Sequence, residues 1–241
     1  MYSGNYRITY YDLDLAGRVK LSALLRMVHI AAEVNANDLG IGFEKLSGLN
    51  MSFVLQRFAL STTRMPTYDE VVTIRTWPAS LARGTFLRKG DMYDTNGHKL
   101  MEWTSLWILF DIKERKILKP SALPIELPVF EDHGVQISPE KVILTPSQGN
   151  AFSEYIHTVS YADVDTNMHM NNSIYGDLIG NALFPNMESA ATSQNFHEFH
   201  INYLAEARFN EKITVTTHHE ENSFIVIGKT PDRISFAAKI S

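Results

Sequence analysis

The chain has 241 residues, 44% of them hydrophobic and 20% charged, with 22 Lys/Arg against 27 Asp/Glu for a net charge of −5. That balance excludes a disordered or collagen-like chain, and the acidic net charge argues against a nucleic-acid partner. Cysteine is absent, which removes disulfides, thiolate metal sites and a cysteine nucleophile together.

The first residues, Met1-Tyr2-Ser3-Gly4-Asn5-Tyr6, lack the basic-then-apolar order of a secretory leader, so the expected compartment is the cytoplasm. Tyr10–Leu15 reads as a strand running into a helix, on which Leu21, Leu24, Leu25, Val28, Ala31 and Ala32 recur at helical spacing. That makes one broad apolar stripe, suited to lying across a sheet. Arg57–Leu60 and Val72–Thr76 are alternating segments and read as strands. Gly84–Asp94 and Lys99–Asp111 are two more, flanking the turn Asp94-Thr95-Asn96-Gly97. The longest unbroken apolar run, Leu106–Phe110, is far short of the roughly 20 residues that span a bilayer, and no stable membrane association is expected. Residues 119–150 then hold Pro120, Pro124, Pro128, Pro139 and Pro146, a density that suits a connector.

Beyond the connector the same order returns. At an offset of 151, Tyr161–Thr166 lies over Tyr10–Leu15, and Ile174, Leu178, Ile179, Ala182 and Leu183 supply a second helical stripe. At an offset of 141, Glu198–Ile201 lies over Arg57–Leu60 and Ile213–Thr217 over Val72–Thr76; Phe224–Gly228 and Ile234–Ile240 close the chain around Pro231-Asp232. Each half is therefore strand, long helix and antiparallel meander. A sheet wrapped around one long helix is a hotdog unit, and the expected fold is α+β with two such units fused as a double hotdog. The expected organisation is an N-terminal unit over 1–118, a connector over 119–150 and a C-terminal unit over 151–241. A lone unit exposes a sheet edge and a helix flank, so fusion already meets the pairing need of each half; a homodimer stays open. The halves differ in charge: residues 1–120 carry 16 Lys/Arg against 12 Asp/Glu, and residues 121–241 carry 6 against 15.

The second strand-to-helix junction, Asp163-Val164-Asp165-Thr166-Asn167-Met168-His169-Met170-Asn171-Asn172, is unusually polar. The first copy keeps Asp12 and Asp14 but has Ala16 for Asn167 and Arg18 for His169. Losing the Asn and His from one copy, with the apolar frame kept, fits a fused pair with a single active site. Asn171 or Asn172 reads as a helix N-cap. Asp163, matched by Asp12, reads equally well as an acceptor for turn amides. Asp165 is matched by Asp14, so Asn167 and His169 are the discriminating pair. Rival motifs are weaker. His197 and His200 stand three apart on a strand and face opposite sides; His218-His219 reads as a solvated turn; Lys45 replaces the last glycine of the pattern begun at Gly40-Ile41-Gly42. No GxSxG is present. No metal and no cofactor are expected.

The run Asp165-Thr166-Asn167-Met168-His169-Met170-Asn171-Asn172-Ser173-Ile174-Tyr175 resembles the Asp-x-Asn-x-His-x-Asn-Asn-x-x-Tyr signature of acyl-acyl carrier protein thioesterases. Ile201-Asn202-Tyr203-Leu204-Ala205-Glu206-Ala207 is similar to a second motif of that family, and Arg64–Val72 and Trp77-Pro78-Ala79-Ser80 extend the likeness into the first half. The resemblance implies a double-hotdog hydrolase with catalytic groups at Asp165, Asn167, His169 and Glu206. Ala207 stands where some members have cysteine, which leaves activation of water. Glu206 and His169 would hold and deprotonate that water, Asp165 would orient or charge the imidazole, and Asn167 would donate to substrate or water. The implied partner is an acyl carrier protein bearing a fatty acyl-phosphopantetheine, with the acyl chain beside the helix of the first half. Arg83, Arg88, Lys89, Lys113, Arg115, Lys116 and Lys119 could dock the acidic carrier, or could serve as solvated strand edges. The alternatives are a coenzyme A thioesterase of the same fold and a non-catalytic acyl-binding hotdog.

Overall fold

The computed structural model describes residues 1–82, 84–130, 133–142, 152–184, 196–220 and 222–241. The alternating segments of the first half become β1 (Tyr2–Arg7), β2 (Met51–Thr62), β3 (Val71–Pro78), β4 (Phe86–Tyr93) and β5 (Lys99–Asp111), with β6 (Lys116–Leu118) a short addition to β5. Those of the second become β7 (Ser153–Thr158), β8 (Glu198–Tyr203), β9 (Lys212–Glu220), β10 (Ser223–Lys229) and β11 (Ile234–Ile240). The spatial order β1-β3-β4-β5-β2 continues as β8-β11-β10-β9-β7, so one antiparallel sheet contains the same five-strand pattern twice, the second copy reversed.

The join lies between β2 and β8, where Phe58 faces Ile201, Ala59 faces His200 and Leu60 faces Phe199. Ala59 and His200 are separated by the repeat offset of 141, so a pseudo-twofold axis passes between them. Because side chains alternate along a strand, this register sends Phe58, Leu60, Phe199 and Ile201 to one face, where all four are buried. The helices α1 (Leu21–Asp38) and α3 (Ile174–Leu183) lie against that face; the short α2 (Phe43–Ser47) follows α1. Leu24, Leu25 and Val28 of α1 share a core with Leu178 and Ile179 of α3 and with the β2 and β8 residues just named. Each such side chain contributes about 1.5–3 kcal/mol of burial. The two hotdog units thus have a common interior. Where α3 approaches the start of α1, Gly176 is required: a Cβ there would stand 2.6 Å from the Ser22 amide nitrogen. Ser22 Oγ donates to the Asp177 carboxylate at the same crossing.

Two local readings change. Tyr10–Leu15 and its repeat are not strands; each is a 3-10 turn, Tyr10–Asp12 and Tyr161–Asp163, and the strands β1 and β7 lie just upstream. The cause is a reciprocal cap: the Asp12 carboxylate accepts from the Thr9 amide and hydroxyl, and that of Asp163 from the Ser160 amide and hydroxyl, which bends the chain. His218 and His219 belong to β9, opposite Ile225 and Phe224, not to a turn.

After β6 the chain first packs on the α1–α2 side of the sheet and then, over residues 133–142, crosses its outer face. Leu123, Ile125 and Leu127 pack against Phe86 and Leu109. The Gln136 and Ile137 amides donate to Glu102, and the Val142 amide donates to the buried Asn202. Pro146 of the connector lies outside the described residues. Among those residues no helix is long and apolar enough to cross a membrane.

Candidate active site

The two copies of the strand-to-helix junction share one backbone. Leu13 bridges Val19 and Val164 bridges Met170; the turn between them places Gly17 at φ +75° and Met168 at φ +67°. In each copy the first aspartate after the 3-10 turn organises the loop: Asp14 Oδ1 accepts from the amides of Ala16 and Arg18, and Asp165 Oδ1 accepts from the Asn167 amide at 2.8 Å. The side chains then diverge. Arg18 folds back on Asp14, with Nε at 3.0 Å, and closes the first loop on itself. His169 occupies that place in the second copy, and its Nδ1 has the Met170 carbonyl oxygen at 3.5 Å.

Asp165 does not bond the imidazole. Its Oδ2 accepts from Asn171 Nδ2 at 3.3 Å, and its own amide donates to the His169 carbonyl at 3.1 Å, so it acts on His169 through the backbone. Asn171 in turn accepts from the Ser173 amide and hydroxyl, capping the turn ahead of α3 while Ser173 stands at the helix N-cap.

One backbone bond joins the two motifs: the Met170 amide donates to the Ala207 carbonyl at 2.7 Å, which ties the residue after His169 to the residue after Glu206. Glu206 is 44% exposed, and three arginines surround it. Its carboxylate lies 3.3 Å from Arg208 and 4.0 Å from Arg115, a residue of the first half, and its carbonyl accepts from Arg233 at 2.8 Å. Arg208 is two residues from Glu206, whereas Arg115 and Arg233 come from distant parts of the chain, so their approach to Glu206 carried no sequence signal.

Asn167 is exposed to a cavity of about 230 Å³. Every other lining residue is from the first half or from Leu127 of the connector; the α1 wall is the stripe His29, Ala32, Glu33 and Ala36, and Phe53, Phe86 and Trp107 face it from the sheet. A second cavity of about 620 Å³ lies against α3, and there the lining includes the Asp14–Arg18 pair. The asymmetry read between the junctions is thus also an asymmetry between two cavities. Among the described residues no group of three or more His, Asp or Glu is placed to hold a metal ion.

Of the proposed docking cations, Lys113, Arg115, Lys116 and Lys119 are exposed around the β5–β6 turn, on the Glu206 side. Arg88 is withdrawn from that set: it is buried against Asn35 of α1, because its position on β4 faces inward. Lys89 is half-buried and donates to the Val135 carbonyl. Arg83 lies outside the described residues.

Comparison with known proteins gives a consistent picture. The acyl-ACP thioesterase N-terminal domain family matches residues 1–121, and the acyl-ACP thioesterase C-terminal domain family matches residues 147–239. A chloroplastic palmitoyl-acyl carrier protein thioesterase of Gossypium hirsutum is 23% identical over 236 residues, covering 92% of this chain; the chain spans 57% of that relative's length. A solved acyl-ACP thioesterase from Bacteroides thetaiotaomicron superposes with a TM-score of 0.84 at 24% identity, covering 99% of this chain and 96% of its own. The 12:0-ACP thioesterase from Umbellularia californica superposes with a TM-score of 0.81 at 17% identity, covering 100% and 96%. At these identities the two structures establish the double-hotdog fold.

Proposed function

Because the chain belongs to the acyl-ACP thioesterase family, we propose that it hydrolyses the thioester joining a fatty acyl chain to acyl carrier protein, releasing the free acid and the carrier thiol. The observation that carries this reading is Asn167: a polar side chain of the second half in the wall of a cavity otherwise built by the first half and the connector. The acyl chain occupies that cavity beside α1, and the thioester lies at the junction carrying His169 and Glu206. Water held between those two attacks the carbonyl carbon, its proton passes to the base, and the carbon–sulfur bond breaks as the thiolate is protonated. Asn167 donates to the developing oxyanion or to the water. Asp165 positions both residues, Asn167 by accepting from its amide and His169 by donating to its carbonyl.

On this reading residues 1–118 form the acyl-binding unit, 119–150 the connector and 151–241 the catalytic unit, and the reaction takes place in the cytoplasm. The exposed cations Lys113, Arg115, Lys116 and Lys119 present a positive approach for the acidic carrier beside the site. The test is hydrolysis of matched acyl-carrier protein and acyl-coenzyme A esters of one chain length. Faster turnover of the carrier ester is expected. Preference for coenzyme A moves the substrate to the alternative carrier, and binding without turnover of either refutes catalysis.

A further inference from the structure

The cavity behind Asn167 is not uniformly apolar. His29 enters its wall from α1, its ring edge-on to Phe58 and Trp107 with centroids 6.4 Å from each. Neither ring nitrogen of His29 has a hydrogen-bond partner among the described residues; Nε2 is shut off from solvent, and Nδ1 is the nitrogen open to the cavity. Arg88 enters the same wall from the inner face of β4 and is 9% exposed. Its hydrogen bonds go to neutral acceptors, Asn35 Oδ1 at 2.8 Å and Thr76 Oγ1 at 3.4 Å. Burial holds His29 down at about 4 and Arg88 down at about 10, so near neutral pH the imidazole is uncharged and the guanidinium charged.

Both features are costly as they stand. A buried nitrogen without a partner loses its hydration with nothing in return, and a buried cation without an acid partner loses more. A hydrocarbon chain in the cavity would pair neither. A hydroxyl both donates and accepts, so it meets either tautomer of His29, and a hydroxyl or carbonyl oxygen accepts from Arg88. Building on the thioesterase reading, we infer that the acyl chain received by this cavity carries a hydrogen-bonding oxygen along its length, a hydroxyl or a keto group, which pairs with His29 and Arg88. Chain selection is then a matter of polarity at a set depth as well as of length. A site with hydrogen-bonding groups in place discriminates far better against a substrate lacking the matching oxygen than an apolar pocket discriminates between chain lengths.

The test uses acyl carrier protein esters of one chain length, unmodified and hydroxylated at successive carbons. The expected result is a kcat/KM at least about tenfold above that of the unmodified ester for one hydroxyl position. His29→Phe should bring that ratio towards unity, and His29→Gln, which keeps a hydrogen-bonding group, should retain part of it. An unmodified chain faster than every hydroxylated one overturns the inference while leaving the thioesterase reading intact. A ratio unmoved in a folded His29→Phe overturns it equally. Hydrolysis of none of the esters overturns both. If His29→Phe does not fold, the comparison of esters on the unaltered protein decides.

Discussion

Asn167, His169 and Glu206 have no counterpart in the loop where Arg18 closes on Asp14, and this contrast makes the reaction testable residue by residue. Asn167→Ala, His169→Ala and Glu206→Ala are each expected to lower kcat by about 10²–10⁴ with the thermal melt unchanged. Arg18→Ala, which loosens the first copy's loop, is expected to keep kcat; equal losses in all four variants would remove the distinction. His29 sets a pH dependence of stability. Burial depresses its folded value to about 4, below the roughly 6.5 of an unfolded histidine, so the unfolded chain binds the extra proton between those values. Stability therefore falls as pH drops from about 6.5 to about 4, by up to about 3 kcal/mol, the ring's contact with the cavity reducing that figure. Denaturant titrations of the unaltered protein and of His29→Phe over this range should diverge, the variant losing less; parallel curves would place a charged imidazole in the folded state.

At the scale of elements, the stripe on α3 and the strands Lys99–Asp111 and Ile234–Ile240 are legible in the sequence because periodicity is a local property. The 3-10 turns were not, because Tyr11-Asp12-Leu13-Asp14-Leu15 alternates as a strand does and only the return of Asp12 to Thr9 reveals the bend. Nor was the α1–α3 crossing. Gly176 aligns with Leu25 in the repeat, so nothing in the sequence marks it as a contact. Gly176→Ala is expected to cost about 1–3 kcal/mol, since the obstruction is the Ser22 backbone and not a flexible side chain. A lowered melting temperature checks it; an unchanged one would mean that the helices sit farther apart in solution.

For the whole molecule, fusion decides where the chemistry can be. The sheet continues through Ala59 and His200, the interior is shared, and a side chain of the acidic half reaches a cavity of the basic half. Charge works at this scale too. Lys113→Glu with Lys116→Glu is expected to raise KM for carrier-bound ester about tenfold at low salt, with little change in kcat, and to flatten its salt dependence. An acyl-pantetheine ester, which lacks the carrier, should show no such rise. The pair avoids Arg115, whose distance to Glu206 would confuse docking with catalysis.

The sequence by itself determined the duplication, the two helical stripes, most strand cores, the loss of Asn and His from one junction, and a chemistry without thiol. These follow from residue identity and spacing, which need no partner to be read. Tertiary structure alone decided that Arg88 faces inward, that Arg115 and Arg233 meet at Glu206, and that His29 stands unpaired in the cavity. Each depends on which element lies opposite, and burial and pairing are properties of that contact, not of the residue.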